Sequence, residues 1–326
     1  MNMMTTLIAL DWGTSMLRAC RLGKDGSVLE KRTLPYGVTK LPPSATSREE
    51  AFLQVYTQAC GDWLRETPAC PVIACGMIGS AQGWRQAPYI EAPCDIRQLA
   101  RQLTRVETGH GQYFSIVSGV WKDGDLPEVM RGEETQIAGA LQHDERLRST
   151  MARQGKALIA LPGTHAKWVE VAQNRIAHIQ TFMTGDLYDA LAHHTILATT
   201  IQPSGQPDWE AFAQGVAVAQ RYRSSVGLLG TLFSVRSRLL CKHITAQQQA
   251  DYLSGLVLGS ELLAVLSRLT PEPEQEIPIT FIGSEALCQR YIRALTYLEC
   301  PYPVHISDGA TERGLWYIAH LAGLLD

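Results

Sequence analysis

Several features that would place this chain quickly are missing from it. Neither sign of charge dominates: 29 lysines and arginines stand against 32 aspartates and glutamates, a net charge of −3. That balance leaves no electrostatic footprint for a nucleic acid or an acidic membrane surface. Long hydrophobic runs are lacking too. Among the most apolar stretches, 252–269 is broken by Ser, Gly, Glu and Arg, so no membrane span is expected. The first apolar run is only a few residues long with no basic residues ahead of it, which reads as a first strand and not a signal peptide. The eight cysteines show no CxxC spacing, so neither a zinc site nor a disulfide framework follows, and the cytoplasm is the simplest home. There is no Walker A lysine motif, no GxSxG elbow, no HExxH and no GxGxxG after a strand. A phosphate site here has to be built some other way.

What is present is a repeat. In Leu7 to Leu34, LIALDWGTSMLRACRLGKDGSVLEKRTL, a short apolar strand is broken by Asp11-Trp12-Gly13-Thr14-Ser15. An alternating strand follows, then the turn signal Gly23-Lys24-Asp25-Gly26, then a returning strand. Gly13 lets backbone approach a ligand, Thr14 and Ser15 offer hydroxyl and N–H donors, and Asp11 offers a carboxylate that can hold a metal ion through its water shell. On this stretch alone an ordinary hairpin with a polar turn is the simpler reading. A second copy changes that: Leu158 to Met183, LIALPGTHAKWVEVAQNRIAHIQTFM, repeats Ile-Ala-Leu and places Gly163-Thr164 where the first copy has Gly13-Thr14. A repeat this widely spaced points to two related domains, and two facing Gly-Thr bends would grip a polyphosphate from both sides of a cleft.

At 326 residues, 45 % hydrophobic and 19 % charged, the chain can hold two domains with their own cores. The expected boundary lies near residue 132, giving domains 1–132 and 133–326, with the closing helix free to cross back onto the first. Helices are expected from Ser47 to Arg65, where Ser47 and Glu50 have capping-box spacing, and at Asp95–Val106, Glu133–Leu141, Asp186–His193, Asp208–Arg221, Thr245–Arg268, Glu285–Leu298 and Thr311–Leu325. Strands are expected at Pro71–Cys75, Tyr113–Val120, Ile277–Ile282 and Val304–Ser307, with 270–276 an exposed connector. Strands alternating with helices in each half make both domains α/β.

Four further stretches carry chemistry, each with a plainer alternative. Glu133 and Glu134 follow Arg131-Gly132 at a helix start, where acids commonly just complement the helix dipole. In the functional reading one of them takes the proton of a substrate hydroxyl attacking a γ-phosphate. The loop 76–85, with Ser80, Trp84 and Arg85, is either a structural turn or the wall of a polar sugar pocket, with Arg85 or Arg131 gripping a carboxylate. Thr184-Gly185-Asp186 opens a helix; Asp186 reads as an N-cap or first-turn acid, with Thr184 and Gly185 near the phosphates as the alternative. Gly283-Ser284 is a strand-to-helix junction whose amides can receive the phosphate or ribose end of a nucleotide.

Taken together these stretches resemble the actin-like sugar-kinase superfamily. Asp11-Trp12-Gly13-Thr14 looks like its first phosphate motif, Pro162-Gly163-Thr164 its second, and Gly283-Ser284 its adenosine motif. LIALDWGTSMLRA, GVTKL (37–41), ACGMIGSAQGW (74–84), VMRGEETQIAGA (129–140), LPGTHAKWV (161–169) and MTGDL (183–187) resemble the 2-dehydro-3-deoxygalactonokinase family, in order and over nearly the whole chain. The resemblance implies two ribonuclease-H-like domains closing on an interdomain cleft. It also implies ATP-dependent phosphorylation of the 6-hydroxyl of 2-dehydro-3-deoxy-D-galactonate in galactonate breakdown. Asp11 would hold Mg²⁺, and Gly13, Thr14, Ser15, Gly163 and Thr164 would cradle phosphates. Gly283 and Ser284 would meet the nucleotide. In glycerol-kinase relatives a Gly-Asp pair just before the second hairpin carries the catalytic base; Gly132-Glu133 stands there, leaving the role between Glu133 and Glu134. Lys40, Ser80, Trp84, Arg85, Arg131 and Thr184 are candidates for the sugar acid. The alternatives are a kinase for a neighbouring sugar or sugar acid, or a nucleotide-switched binding ATPase. No nucleic-acid or membrane partner is expected, and a homo-oligomer is compatible with the sequence.

Overall fold

The first apolar run forms a strand because it is a central one, flanked on both sides and buried throughout. The computed structural model describes residues 5–109, 112–269 and 278–325, so the expected connector at 270–276 lies outside the described residues. The chain opens with β1 (Leu7–Trp12), β2 (Leu17–Leu22) and β3 (Val28–Leu34). It continues through α1 (Arg48–Glu66), β4 (Val72–Cys75), β5 (Tyr89–Glu91), β6 (Cys94–Asp95), α2 (Ile96–Arg101), β7 (Thr104–Gly109), β8 (Gln112–Ile116), β9 (Gly119–Lys122), β10 (Glu128–Met130), α3 (Glu133–His143) and α4 (Glu145–Gln154). The second copy of the hairpin is β11 (Lys156–Leu161), β12 (Ala166–Ala172) and β13 (Arg175–Phe182). After it come α5 (Thr184–His194), α6 (Trp209–Tyr222), α7 (Gly227–Thr231), α8 (Ser234–Leu240), α9 (Gln249–Leu266), β14 (Ile279–Phe281), α10 (Glu285–Tyr297), β15 (Val304–Ile306) and α11 (Ala310–Leu321).

By compactness the chain divides into two units. One comprises Met1–Ile159, Val169–Ile179 and Ser307–Asp326, the other Ala160–Trp168 and Gln180–Ile306. In the first, a six-stranded sheet runs β3-β2-β1-β4-β8-β7. β1 pairs antiparallel with β2 and parallel with β4, and β4 pairs parallel with β8. This register sets Asp11 opposite Arg18 on one side and Cys75 on the other, at the end of the strand where the bend begins. A second six-stranded sheet has the order β15-β14-β11-β12-β13-β6, and a three-stranded one the order β10-β9-β5. The fold is mixed α/β built on two six-stranded mixed sheets, the class expected from the sequence.

The core of the first unit is aromatic. Trp12, Phe52, Tyr56, Trp84 and Phe114 pack together under the sheet, with Phe52 and Trp84 stacked at 5.8 Å between ring centroids. α11 crosses α3 in this unit at two glycines: a Cβ on Gly139 would fall 1.9 Å from the Ala310 carbonyl, and one on Gly314 equally close to that of Thr135. The side-chain amide of Gln136 also donates to the Thr311 hydroxyl at 3.1 Å.

Two expected elements differ. The helix expected over 95–106 ends at Arg101, and β7 follows it. Alternation in Thr104-Arg105-Val106-Glu107 buries Val106 and exposes its neighbours, as an edge strand requires. The single strand expected over 113–120 is two, β8 and β9, in different sheets. They part at Ser118, whose hydroxyl donates to the Gln102 carbonyl at 2.6 Å. α1 keeps only half its capping box: the Ser47 hydroxyl accepts from the Glu50 N–H, while the Glu50 carboxylate turns to Thr46.

Candidate active site

Each Gly-Thr bend is held by a later glycine segment, and this pairing is repeated in the two units. In the first, the Gly13 N–H donates to the Met16 carbonyl at 2.9 Å, and the Val38 and Thr39 N–H groups donate to the Gly13 and Thr14 carbonyls at 3.1 Å. A Cβ on Gly37 would lie 2.1 Å from the Thr14 oxygen, so only glycine lets this segment seat on the bend. In the second, the Asp186 N–H donates to the Thr164 carbonyl at 3.1 Å, and a Cβ on Gly185 would fall 2.6 Å from the Gly163 oxygen. The hydroxyls of Thr14, Ser15 and Thr164 lie on exposed residues, available to a ligand.

In the first unit three predicted segments converge on Gly76. A Cβ there would meet the Trp12 carbonyl at 2.9 Å and Asp11 Oδ1 at 3.6 Å, and a Cβ on Gly132 would lie 3.2 Å from Gly76 Cα. Gly132 precedes α3 with φ +110°, a left-handed conformation that glycine adopts without strain. Asp11, Gly76 and the Glu133-Glu134 helix start are thereby brought side by side. Asp11 Oδ2 is paired with Arg18 at 3.0 Å; burial raises its pKa and the Arg18 guanidinium opposes that. Glu134 is fully buried, and Gly132 N–H donates to both of its oxygens, at 2.9 and 2.7 Å. Burial, then the charge of Glu133, pushes its pKa up to about 8 against those hydrogen bonds. Glu133 is half-buried and its Oε2 accepts from the Arg131 N–H at 3.0 Å.

The sugar-acid candidates are unlike one another. Lys40 is exposed on the segment seated on the first bend. Ser80 is half-buried and its hydroxyl accepts from the Gln82 N–H at 3.2 Å, an ordinary turn contact. Arg85 is exposed. Trp84 is 7 % exposed and sits inside the aromatic cluster, with its indole N–H donating to Glu49 at 2.6 Å. Arg131 is buried with its guanidinium 4.2 Å above the Tyr89 ring; Nη2 donates to the Ala87 carbonyl, and Nε and Nη1 have no hydrogen-bond partner.

In the second unit a cleft of about 830 Å³ gathers three of the residues expected to meet the nucleotide, Gly163, Thr164 and Ser284, with Thr184, one of the sugar-acid candidates. Pro162, Gly163 and Thr164 form one side of it, Thr184, Gly185 and Asp186 another, and Ser284 a third. Gly283 adjoins this lining, a Cβ on it falling 3.5 Å from the Pro162 carbonyl. α5 and α10 both begin here, so the positive ends of two helices adjoin the cavity. Ser284 sits at the start of α10 with no side-chain cap hydrogen bond. Asp186 is a first-turn acid of α5 and not its cap, because Met183 holds that position; its carboxylate meets His165 Nε2 at 2.6 Å.

Sequence reasoning missed the rest of the lining: Tyr188, Asp189, Ser254, Val257, Leu258, Leu287, Arg290 and Tyr291. Arg290 is held there by Asp251 at 2.8 Å. These residues carry no local motif, because helices α5, α9 and α10 supply them one or two at a time. Among the described residues no three of His, Cys, Asp and Glu converge as a metal cage.

Backbone amides and helix starts gathered on one cleft suit the phosphates of a nucleotide, and a carboxylate beside a Gly-Thr bend suits an acceptor hydroxyl. The class of protein that joins those two is the carbohydrate kinase. A profile of the 2-keto-3-deoxy-galactonokinase family matches residues 11–318, and the chain belongs to that family. It is similar to a probable 2-dehydro-3-deoxygalactonokinase of Rhizobium meliloti, 35 % identical over 265 residues, 79 % of this chain and 80 % of the relative. It is also similar to the 2-dehydro-3-deoxygalactonokinase of Escherichia coli, 32 % identical over 314 residues, 96 % of this chain and 97 % of the other. The crystal structure of a putative 2-dehydro-3-deoxygalactonokinase from Sinorhizobium meliloti superposes with a TM-score of 0.82 at 31 % identity, covering 96 % of this chain and 98 % of that one. The activity is thus that of a 2-keto-3-deoxygalactonate kinase of galactonate breakdown, with ATP as donor and a sugar acid as acceptor.

Proposed function

We propose that the enzyme moves the γ-phosphoryl group of Mg²⁺-bound ATP onto the 6-hydroxyl of 2-dehydro-3-deoxy-D-galactonate, giving the 6-phosphate and ADP. The observation that carries this reading is the 830 Å³ cleft, which draws Gly163, Thr164, Thr184 and Ser284 from three separate stretches of sequence onto one cavity. The nucleotide occupies it with its phosphates toward the bend and the starts of α5 and α10. Gly13, Thr14 and Ser15 contribute further donors to the phosphate chain. As the substrate oxygen bonds to the γ-phosphorus, the bond to the β–γ bridging oxygen breaks and ADP leaves with that electron pair.

Glu133 receives the hydroxyl proton, being the accessible member of the acidic pair. Mg²⁺ keeps most of its waters and needs only a carboxylate besides the phosphates, and Asp11, with Oδ1 toward Gly76, fits that requirement. The ion would supply charge neutralisation on the phosphates. Arg131 is the receiver for the substrate carboxylate, since a buried guanidinium with two unpartnered nitrogens calls for an anion. Lys40 adds positive charge beside the first bend. The cytoplasm fits a chain in which none of the eight cysteines is in a disulfide.

The test is an ADP-release assay over a panel of acceptors: the galactonate-derived 2-keto-3-deoxy acid, its gluconate-derived epimer and a neutral ketose. Fastest turnover with the first supports the reading. Equal turnover with the neutral ketose would remove the role given to Arg131.

A further inference from the structure

Glu261 lies in the middle of α9, 3 % exposed, on the longest apolar helix of the second unit. Its carboxylate is a meeting point. Trp168 Nε1 donates to Oε1 at 2.6 Å, Tyr291 OH donates to Oε2 at 2.9 Å, and Thr184 Oγ1 donates to the same Oε2. Burial favours the protonated acid, and the three donors oppose it.

The donors come from three elements whose ends meet at the cleft. Trp168 is on β12, the strand that leaves the Gly163-Thr164 bend. Thr184 is the first residue of α5, and Tyr291 is on α10, which starts at Ser284. Thr184 and Tyr291 themselves line the cleft. One buried carboxylate therefore ties together every segment of this unit assigned to the nucleotide.

The hydrogen directions follow from chemistry. An indole only donates, a threonine hydroxyl has a single hydrogen, and all three contacts run toward Glu261, the arrangement of its ionised form held by three donors against its burial. With that hydrogen committed to Glu261, the Thr184 oxygen offers only lone pairs to the cleft. Such an oxygen repels a phosphate oxygen and attracts a donor.

We propose that Glu261 is a positioning residue for the nucleotide: it fixes Thr184 as a pure acceptor that takes a hydrogen from the nucleotide complex, either a ribose hydroxyl or a water on its metal ion. This rests on the reading of the cleft as the nucleotide site.

Glu261→Gln is the direct test, because it keeps the shape and inverts the polarity. Trp168 must still find an acceptor, so the amide nitrogen faces Thr184 and Tyr291 and reverses the threonine hydroxyl. The measurements are ADP affinity by calorimetry, with and without Mg²⁺, and kcat with KM for ATP and for the sugar acid. Glu261→Gln and Thr184→Val are each expected to weaken ADP binding and raise KM for ATP about tenfold, the scale of one hydrogen bond. KM for the sugar acid should stay within about twofold, and the double variant should be no worse than the worse single one. Thr184→Ser should restore the native affinity. Full ADP affinity in Glu261→Gln, additive losses in the double variant, or an equal rise in KM for the sugar acid would each overturn the inference. If Glu261→Gln does not fold, Thr184→Val carries the test alone, and unchanged ADP affinity in it overturns the proposal.

The source of the hydrogen is read from the native enzyme. A Thr184-dependent preference for ATP over 2′- or 3′-deoxy-ATP indicates the ribose, and a Thr184 effect seen only with Mg²⁺ indicates the metal-bound water. Gly163→Val separates a failure of the cleft from a failure of Glu261, since a Cβ at Gly163 meets no atom within 4 Å and the side chain would enter ligand space. Undiminished ADP binding in that variant rejects the cleft itself. Loss there with a neutral Glu261→Gln rejects only the role of Glu261.

Discussion

The backbone N–H of Gly132 points at both carboxylate oxygens of Glu134, 2.9 and 2.7 Å away. The Thr135 hydroxyl adds a second donor at 3.1 Å. Glu134 therefore closes the start of its own helix, much as a capping-box acid reaches back to the N-cap amide. Glu133, one residue earlier, faces a wetter environment. Two neighbouring acids of identical chemistry are placed in unlike surroundings.

Glu133→Ala should lower kcat by about two to four orders of magnitude, the range for loss of a general base. KM for ATP should move little. A coupled ADP-release assay checks this, and a kcat close to native would transfer the proton-accepting role away from Glu133.

The buried partner has a pH signature. The folded pKa of Glu134, about 8, lies above the value of 4.5 for an unperturbed glutamate. A group whose pKa is raised by folding stabilises the protein fully below the unfolded value, and that contribution disappears as the pH climbs through the folded one. Native protein should therefore lose Tm relative to Glu134→Gln between pH 5 and pH 9. Thermal melts of the pair across that window would show the gap closing or reversing; a gap independent of pH would mean Glu134 is ionised in the fold.

Asp11→Asn leaves the strand pairing with Arg18 in place and removes the charge. The activity of the variant should need about tenfold more Mg²⁺ for half-maximal rate, the scale of a single charge-assisted interaction. A Mg²⁺ titration identical to that of the native enzyme would take the metal away from Asp11.

Trp84→Ala should cost about 3–5 kcal/mol of stability through the cavity it leaves in the aromatic cluster. Trp84→Phe, by contrast, should keep a native KM for the sugar acid, because the indole packs on Phe52 and Phe114. Denaturant unfolding and steady-state kinetics on the two variants distinguish a core residue from a pocket wall.

Gly185→Val forces side-chain atoms into the Gly163-Thr164 backbone, where even a Cβ lies at 2.6 Å. Displacing the bend by an ångström should lower kcat/KM for ATP about a hundredfold. Normal ATP kinetics in a folded variant would show that the bend does not touch the nucleotide.

Much of this was legible in the sequence because it was local. The apolar run Leu7–Leu10, the Gly-Thr bend and the turn at Gly23–Gly26 announce a hairpin within 28 residues, and the second copy announces it again. The starts of α3 and α10 were marked by their own acids and glycines. What stayed hidden depends on tertiary neighbours. No spacing shows that Trp84 meets Phe52, or that Arg290 is held by Asp251 at the cleft. β9, β10 and β5 are short strands that exist only through one another, so periodicity over 119–130 was too brief to read. Glu261 did leave a trace, as a solitary acid within the apolar turns of Leu253–Leu266, but a surface position would have read the same way.

The crossing of α3 and α11 bears on how the enzyme is made. Glu133 begins a helix whose backbone is clamped by residues 310–314, encoded some 175 positions downstream. A nascent chain leaving the ribosome has to wait for the whole second unit to emerge before the first can be finished. The start of α3 is then set late, after the 830 Å³ cleft of the second unit already has all its parts.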